Sequence, residues 1–349
     1  MYVKPGFILV GFVAIAAAVG IGVSALQRPP HHAPAVSLPP TGPTPVPHEP
    51  SVAFEFSAAD DPSTGDVVLF GGVYDFDNTW LWNGSTWSLA HPSRSPSGRY
   101  GGAAAFDPQS DQILLFGGRL EAGTPTNDTW AWDGRTWLEV NGGGAEAPRP
   151  GDGSQMAWDA ARNTMLLVTP PTGPNGGAQT WIWTGARWQR QLGGDLGSSF
   201  HNVLLAYDPV SRSVVAEGCC QVLPTQLAGG DSSTWRWDGT RWLVVDPRSP
   251  GGGSAMALDP VRSQLVLCDC NLVGGVVPSL YVWSGKDWAP LPSGSVPSQP
   301  QAEIDDVSRS QFLILGFAIG VGESIAQPLD VWQFNETSWR QLDGKAGSG

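Results

Sequence analysis

Short apolar runs alternate with turn-forming segments along most of this chain, and the whole pattern returns about every 50 residues. Each repeat holds an apolar stretch ending at an aspartate, a β-branched run, a TWxW segment and a stretch that starts at another tryptophan. Such runs, bounded by Asp, Asn, Gly and Pro, are typical of β-strands. The first TWxW tryptophan or its equivalent lies at Trp80, Trp130, Trp181, Trp235, Tyr281 and Trp332, in steps of 50, 51, 54, 46 and 51 residues. A period of this size predicts a repeat architecture.

Two tight turns divide each repeat into four short strands. The first follows the aspartate, as in DPSTGDVVLF from Asp61, and the second is an Asn-Gly or Asp-Gly turn, as in TWLWNGSTW at Thr79–Trp87. Six copies of four antiparallel strands predict an all-β, six-bladed β-propeller. We expect each blade to come from one repeat, with a first strand at Val52–Ala58 and a last strand at Ser338–Leu342. Closure of the ring is then expected to rest on side-chain packing between blades one and six.

Two marks of these repeats resemble the kelch family of propellers. One is the Gly-Gly pair that closes the second strand, at Gly71-Gly72 and Gly117-Gly118, which repeats three to six have lost. The other is the spaced aromatic pair, which all six repeats keep. The resemblance, to propellers of the galactose-oxidase central-domain type and to exported bacterial kelch proteins, covers residues 51–343. It implies the propeller fold but says little about function, because propellers carry many unrelated activities.

The aligned tryptophans are predicted to pack between blades rather than to bind a ligand. Two share one strand face and a third faces them across the turn, so each ring buries a large apolar area. Trp158 lies outside the pattern, and its role is left open. The predicted structural tryptophans are Trp80, Trp87, Trp130, Trp137, Trp181, Trp188, Trp235, Trp242, Trp283, Trp288, Trp332 and Trp339.

The first 50 residues differ in composition from the propeller. The 21 residues from Gly6 to Leu26 carry no charge, which is long enough to cross a hydrocarbon core of about 30 Å. Residues 1–28 are therefore predicted to be a single-pass membrane anchor with the propeller on the extracytoplasmic side. Cleavage after Ala25, which would give a secreted protein, is the alternative. Residues 29–50 contain nine prolines and are predicted to be an extended linker, and residues 344–349 a flexible tail.

The charge balance restricts the possible partners. The chain has 19 Lys and Arg against 32 Asp and Glu, a formal net charge of −13, and no basic stripe. A nucleic-acid partner is therefore excluded, and contact with a membrane is expected only through the N-terminal helix.

Four cysteines end the second strands of two neighbouring blades: Cys219 and Cys220 in blade four, and Cys268 and Cys270 in blade five. An even number of cysteines at matching positions predicts disulfides in an oxidising compartment, most simply across the two blades. The three possible pairings stay open. The spacing does not fit a thiolate metal site.

No catalytic motif is present. The propeller contains only His91 and His201, too few histidines for a copper site of the galactose-oxidase kind, and GxSxG, HExxH and dinucleotide motifs are absent. We therefore predict no metal and no cofactor. A hydrolase with paired carboxylates stays open, because the many carboxylates cannot be placed from the sequence.

Ligand contacts are expected on one face of the propeller. Alternating strand directions place both tight turns on one face, the tight-turn face. The connections between second and third strands and between blades form the opposite, long-loop face, where binding residues on rigid scaffolds concentrate. The candidate ligand-binding residues there are Arg99, Arg119, Arg149, His201 and Asp152. Salt bridges between these arginines and acids of the same loops are the alternative.

The sequence thus predicts a membrane-tethered, extracytoplasmic binding module that recognises a protein or a glycan through its long-loop face. One alternative is an exported sugar-modifying enzyme, an isomerase, lyase or hydrolase, with its site at the mouth of the central channel. Another is a structural envelope protein. Buried carboxylates at the channel mouth would favour the enzyme, and an aromatic loop rim would favour the binding module.

Overall fold

The chain folds into six four-stranded antiparallel sheets, each in sequential strand order. The innermost strands of neighbouring sheets contact each other, and those of the first and last sheets also meet, which closes a ring around a central channel. The predicted six-bladed propeller is confirmed. This computed structural model describes residues 49–52, 54–151, 153–171, 177–196, 202–219, 232–250, 255–269, 279–292, 298–318, 327–335 and 338–343.

Every four-stranded sheet comes from a single repeat. The strands of blade 1 are Ser57–Asp61, Asp66–Phe70, Thr79–Trp82 and Trp87–Leu89, and those of blade 2 are Ala103–Asp107, Gln112–Phe116, Thr129–Trp132 and Trp137–Asn141. Blade 3 contains Gln155–Asp159, Thr164–Thr169, Gln179–Trp183 and Trp188–Arg190, and blade 4 contains Asn202–Asp208, Ser213–Cys219, Ser233–Trp237 and Trp242–Asp246. Blade 5 contains Ala255–Asp259, Gln264–Asp269, Ser279–Trp283 and Trp288–Leu291, and blade 6 contains Ser298–Asp306, Gln311–Ala318, Asp330–Phe334 and Trp339–Gln341. A 3-10 turn, Val307–Arg309, follows the first strand of blade 6.

The first strand of blade 1 begins later than the sequence predicted. It spans Ser57–Asp61 rather than Val52–Ala58, because Glu55 has a φ of 59°, which no extended strand accommodates. The carbonyl of Phe54 instead accepts the Val73 N–H at 3.0 Å and supports a loop. At the other end of the ring the strand Trp339–Gln341 lies within its predicted range.

Closure of the ring uses main-chain bonds as well as side-chain packing. The short strand Ser51–Val52 pairs with Gln327–Pro328 in the long loop of blade 6. The Leu329 N–H also donates to the Pro50 carbonyl at 3.2 Å. The prediction that packing alone closes the ring is therefore wrong, although no strand is exchanged between the four-stranded sheets.

The aspartate that ends each first strand caps the turn that follows. For example, Asp107 accepts the Gln109 N–H at 3.0 Å and Asp259 accepts the Val261 N–H at 2.9 Å, as in an Asx turn. In all six blades the residue four positions after the aspartate has a left-handed backbone conformation, with φ between 52° and 77°. Those positions are Gly65, Asp111, Asn163, Arg212, Ser263 and Ser310.

Aromatic pairs fill the outer half of every blade. The last aromatic residue of the third strand lies opposite the tryptophan that starts the fourth, with ring centroids 4.8 to 5.4 Å apart in the six blades. Trp82 and Trp237 are fully buried, and the other predicted structural tryptophans are buried or half-buried. These rings belong to the packing between sheets.

A hydrogen bond between indole and threonine links neighbouring blades. The tryptophan that starts the fourth strand donates its Nε1–H to the threonine of the TWxW segment in the preceding blade. Four such bonds, each 2.8 to 2.9 Å long, connect blades 1 to 5. The pairs are Trp137 with Thr79, Trp188 with Thr129, Trp242 with Thr180, and Trp288 with Thr234.

The two remaining interfaces lack this bond for a reason visible in the sequence. Leu280 and Val331 occupy the threonine position in blades 5 and 6. The indole nitrogens that would reach them, in Trp339 and Trp87, are buried with no hydrogen-bond partner among the described residues. Blade 6 is therefore held to both of its neighbours without the threonine acceptor.

Several predictions concern residues outside the described part of the chain. These include the anchor at Gly6–Leu26, the linker up to residue 48 and the tail. Among the described residues, no helix is long and apolar enough to span a membrane. Cys268 is fully buried and disulfide-bonded, but the side chains of Cys219, Cys220 and Cys270 are not described. Pairing across blades four and five therefore stays a prediction.

Removal of one threonine acceptor should destabilise the ring. Thr129→Val keeps the side-chain shape but leaves the buried Nε1–H of Trp188 without an acceptor, which we expect to lower the free energy of unfolding by about 1–3 kcal/mol. The reciprocal change Val331→Thr supplies an acceptor for Trp87 and should raise it by about 0.5–1.5 kcal/mol. Urea unfolding followed by tryptophan fluorescence measures both.

Thr124→Val, in an exposed loop, serves as the control and should change stability by less than about 0.5 kcal/mol. If Thr129→Val is as neutral as this control, the indole–threonine bond does not stabilise the interface.

Candidate functional site

The Gly-Gly pairs shape the long-loop face of blades 1 and 2. Gly71 has a φ of 65°, and a Cβ on it would collide with the Arg99 carbonyl. Gly118, with a φ of 93°, would place a Cβ 2.7 Å from the Tyr100 carbonyl. The two pairs thus let the connection between blades 1 and 2 run directly beneath the loops, where Arg99–Tyr100 pairs with Arg119–Leu120.

Arg99 is a structural residue of this connection. Its side chain is 1% exposed, and its Nη1 and Nη2 donate to the two carboxylate oxygens of Asp128 at 2.7 and 2.9 Å. Nη1 also donates to the Gly117 carbonyl and Nε to the Ser97 carbonyl, each at 3.0 Å. Burial opposes ionisation of Asp128, but the bonds and charge of Arg99 outweigh it and lower the pKa of this carboxyl. The geometry favours the salt-bridge alternative, with Asp128 as the partner.

Of the described candidates, neither Arg99 nor Arg119 nor Arg149 lines the groove or the channel described below. Arg119 is half-buried and donates to the Gly123 carbonyl at 3.1 Å, within its own loop. Arg149 is exposed on the connection between blades 2 and 3. His201 and Asp152 lie outside the described residues, so their predicted roles stay predictions.

A groove of about 570 Å³ opens on the long-loop face between blades 1 and 2. It is lined by the loop after the second strand of blade 1, with Tyr74, Phe76, Asp77 and Asn78, and by Glu121 of blade 2. Tyr74 is 54% exposed, and the ring of Phe76 packs against Tyr100 with centroids 6.0 Å apart. The groove therefore combines an exposed aromatic ring with carboxylates and an amide.

Tyr74 is held in a conformation that a tyrosine rarely adopts. The Asp75 N–H donates to the Gly72 carbonyl at 3.1 Å, which makes residues 72–75 a turn with Tyr74 at its third position. Its φ of 79° is that of a type II turn, where glycine or asparagine is the usual residue. Strain of this kind costs about 1–3 kcal/mol and is concentrated at functional sites.

Buried Asp75 fixes the loop that carries Tyr74. Its carboxylate accepts the indole N–H of Trp80 at 2.7 Å and a hydrogen bond from the Asn78 amide. Burial raises the pKa of Asp75, although these two hydrogen bonds act in the opposite direction. The groove loop is thereby anchored to a core tryptophan.

The central channel is the second cavity, with a volume of about 620 Å³. The innermost strands of all six blades line it, largely with alanine and other apolar side chains. Two carboxyl groups from neighbouring blades, Asp60 of blade 1 and Asp305 of blade 6, also line it near its tight-turn end. No group of three or more His, Cys, Asp or Glu among the described residues could hold a metal ion.

Both channel carboxyls resist ionisation. Burial raises the pKa of Asp60 to about 8, with the charges of Asp305 and Asp306 adding to the effect. Burial likewise raises the pKa of Asp305 to about 6. Asp60 is only 7% exposed, and its Oδ1 has no hydrogen-bond partner among the described residues. Near neutral pH the two carboxyls therefore hold about one proton between them.

The residues that shape both cavities were not among the candidates predicted from the sequence. Acids of the long loops, such as Asp77 and Glu121, were expected only as salt-bridge partners for arginines, and no motif marks Tyr74. A signal for the channel pair was present, because repeats one and six alone have an Asp-Asp doublet at the first turn, at residues 60–61 and 305–306.

Comparison with known proteins supports the fold. No family model and no curated protein matches the chain. Among solved structures, YjhT is 12% identical with a TM-score of 0.54, over 85% of this chain and 99% of that one. A variant of the Aleuria aurantia lectin in complex with Fucα1-6GlcNAc is 13% identical with a TM-score of 0.55, over 87% and 100%. SapL1 lectin in complex with α-methyl fucoside is 14% identical with a TM-score of 0.53, over 85% and 99%. These similarities place the chain among six-bladed propellers, and membership of the kelch family stays a hypothesis.

Loss of Arg99 should act on stability. Arg99→Ala leaves the Asp128 carboxylate without its cation at a mostly buried site, and we expect a loss of about 3–5 kcal/mol in the free energy of unfolding. Chemical denaturation of the two proteins measures it. Arg149→Ala, at an exposed position, is the matched control, with an expected change below about 0.5 kcal/mol. An Arg99→Ala protein as stable as the control would return Arg99 to the ligand-binding candidates.

The channel carboxyls should make stability depend on pH. Their folded-state pKa values are raised, so the stability they contribute is complete below about pH 4 and is lost as the pH rises through about 6 and 8. Asp60→Asn mimics the protonated form. We expect it to raise the melting temperature at pH 8 and to leave it nearly unchanged at pH 4. Asp111→Asn, at an exposed turn position, is the control, and its effect on the melting temperature should not differ between pH 4 and pH 8. An equal effect of Asp60→Asn at pH 4 and pH 8 would contradict the raised pKa.

Proposed function

We propose that this propeller is a glycan-binding module whose binding site is the groove between the long loops of blades 1 and 2. The observation that carries the proposal is Tyr74, an exposed ring held in a strained turn beside hydrogen-bonding side chains. A bulky residue at positive φ, where glycine is favoured, indicates that the side chain is kept for a purpose other than stability.

The chemistry of the groove suits a saccharide. An aromatic ring offers a flat apolar face to the C–H groups of a sugar. The carboxylates of Asp77 and Glu121 can accept hydrogen bonds from hydroxyl groups, and the amide of Asn78 can donate and accept. A cavity with few polar groups around an aromatic surface is typical of small-molecule sites.

The charge of the groove narrows the class of glycan. Asp77 and Glu121 are exposed at its edge, and its described lining contains no arginine, lysine or histidine. Because the chain as a whole carries a net charge of −13, an anionic sugar would be repelled. Neutral glycans are therefore the proposed ligands.

Two similar propellers, the SapL1 and Aleuria aurantia lectins, are described in complex with a fucoside or a fucosylated disaccharide. At 13% to 14% identity this likeness supports only the statement that such a ring can carry saccharide sites. Membrane tethering through residues 1–28, with export of the propeller, belongs to the proposal as predicted from the sequence.

Tyr74→Gly should separate binding from stability. Because glycine relieves the strain of the turn, the free energy of unfolding should stay the same or rise by up to about 1 kcal/mol. The melting temperature should therefore not fall. Loss of the ring should weaken glycan binding at least about tenfold, or 1.4 kcal/mol. A glycan array probed with the full-length chain identifies the ligand, and calorimetry with that glycan gives the affinities.

Tyr74→Phe, which keeps the ring, should retain most of the affinity. Leu192→Ala removes another exposed apolar side chain, 87% exposed in the connection between blades 3 and 4, and should not alter binding. Glycan binding that is unaffected by Tyr74→Gly would contradict the proposal that the groove is the binding site. An array without any signal, together with Tyr74-dependent binding of a protein, would assign the groove to a protein partner instead.

A further inference from the structure

One position of the innermost strand differs between blades in a way that packing does not explain. It is the residue before the turn aspartate, which lines the channel in all six blades. In blades 2 to 5 it is Phe106, Trp158, Tyr207 and Leu258, and each packs against the core shared with the preceding blade. In blades 1 and 6 it is Asp60 and Asp305.

The aspartate in blade 1 is placed at a cost to stability. Asp60 lies on the closing interface, with its Oδ2 accepting the Val307 N–H at 3.2 Å, and its Oδ1 has no partner among the described residues. A buried carboxylate is unfavourable without a cation or a full set of hydrogen bonds. Four blades show that an apolar residue suits this position, so the carboxylate itself requires an explanation.

The charged groups around Asp60 are almost all acidic. Asp61 and Asp66 lie on its own blade, and Asp305 and Asp306 face it from blade 6. The neighbouring cation Arg309 is paired with Asp306 and donates to the Asn83 carbonyl. The other groups at this register are Phe106, Trp158, Tyr207 and Leu258. Two carboxyls thus line one side of the channel, and three aromatic rings line other parts of it.

We propose that the tight-turn end of the central channel binds the ammonium group of an amine, with Asp60 and Asp305 as its acceptors. A primary ammonium has three N–H donors and can bridge two carboxylates. Its positive charge and alkyl chain also suit a channel lined by aromatic and alanine side chains. A divalent metal ion fits less well, because no group of three metal-ligating side chains was found among the described residues.

Binding of an amine should displace a proton. The bound cation stabilises both carboxylates in their ionised form, whereas Asp60 holds a proton in the free protein at neutral pH. The affinity should therefore rise between pH 6 and pH 8. This site is separate from the groove of blades 1 and 2, and it does not depend on the glycan proposal.

Calorimetry with the full-length chain and 1,4-diaminobutane tests the proposal. We expect saturable binding at pH 7, with release of a proton that is detected by comparing buffers of different ionisation enthalpy. Asp60→Asn should weaken binding at least tenfold and abolish the proton release. Asp305→Asn should weaken binding similarly, and Trp158→Leu should weaken it to a smaller extent.

Asp111→Asn controls for non-specific attraction of a cation to an acidic protein. It removes one negative charge from an exposed turn on the same face, and it should change the affinity less than twofold. Equal effects of Asp111→Asn and Asp60→Asn would overturn the proposal. Absence of amine binding would also overturn it, as would Ca²⁺ binding that depends on Asp60 and is not displaced by the amine.

Discussion

The ring depends on hydrogen bonds that a buried indole makes to the neighbouring sheet. A tryptophan starts the fourth strand of every blade, and the threonine of the preceding blade accepts the indole N–H in four of the six cases. This geometry explains why the TWxW segment recurs in the repeats. Its threonine bonds to the following blade, whereas its tryptophans pack against the preceding one. The repeat is thus a unit of contact between blades as much as a unit of secondary structure.

Blade 6 departs from this scheme on both sides, and the departure coincides with the channel carboxyls. Leu280 and Val331 remove the threonine acceptors, and Asp60 and Asp305 replace apolar packing residues near the closing interface. The pairing of Ser51–Val52 with Gln327–Pro328 adds main-chain bonds at the same interface. At the closing interface a missing indole hydrogen bond, a buried carboxyl and added strand pairing therefore occur together.

The sequence predicted the fold well because every blade repeats the same local signals. The Asx turn, the left-handed residue four positions later and the Gly hairpin each act within a few residues. The start of blade 1 was predicted wrongly because the apolar stretch before the turn aspartate continues back to Val52 in the sequence. That pattern could not reveal that Glu55 adopts a positive φ, or that the Phe54 carbonyl beside it accepts the Val73 N–H from a loop.

The proposed binding residues were harder to predict, because chemistry alone does not distinguish a ligand-binding group from a structural one. Arg99 has the charge of a ligand contact, but its guanidinium fork also fits Asp128 and two carbonyls, and only the fold brings these together. Tyr74 has no motif, and its exposure follows from a turn whose preferred residue is glycine. Asp60 stands out only when the repeats are compared position by position, because four other blades have an aromatic residue or leucine there. In such a repeat protein, comparison of the copies position by position therefore identifies candidate residues that the reactivity of a side chain alone does not reveal.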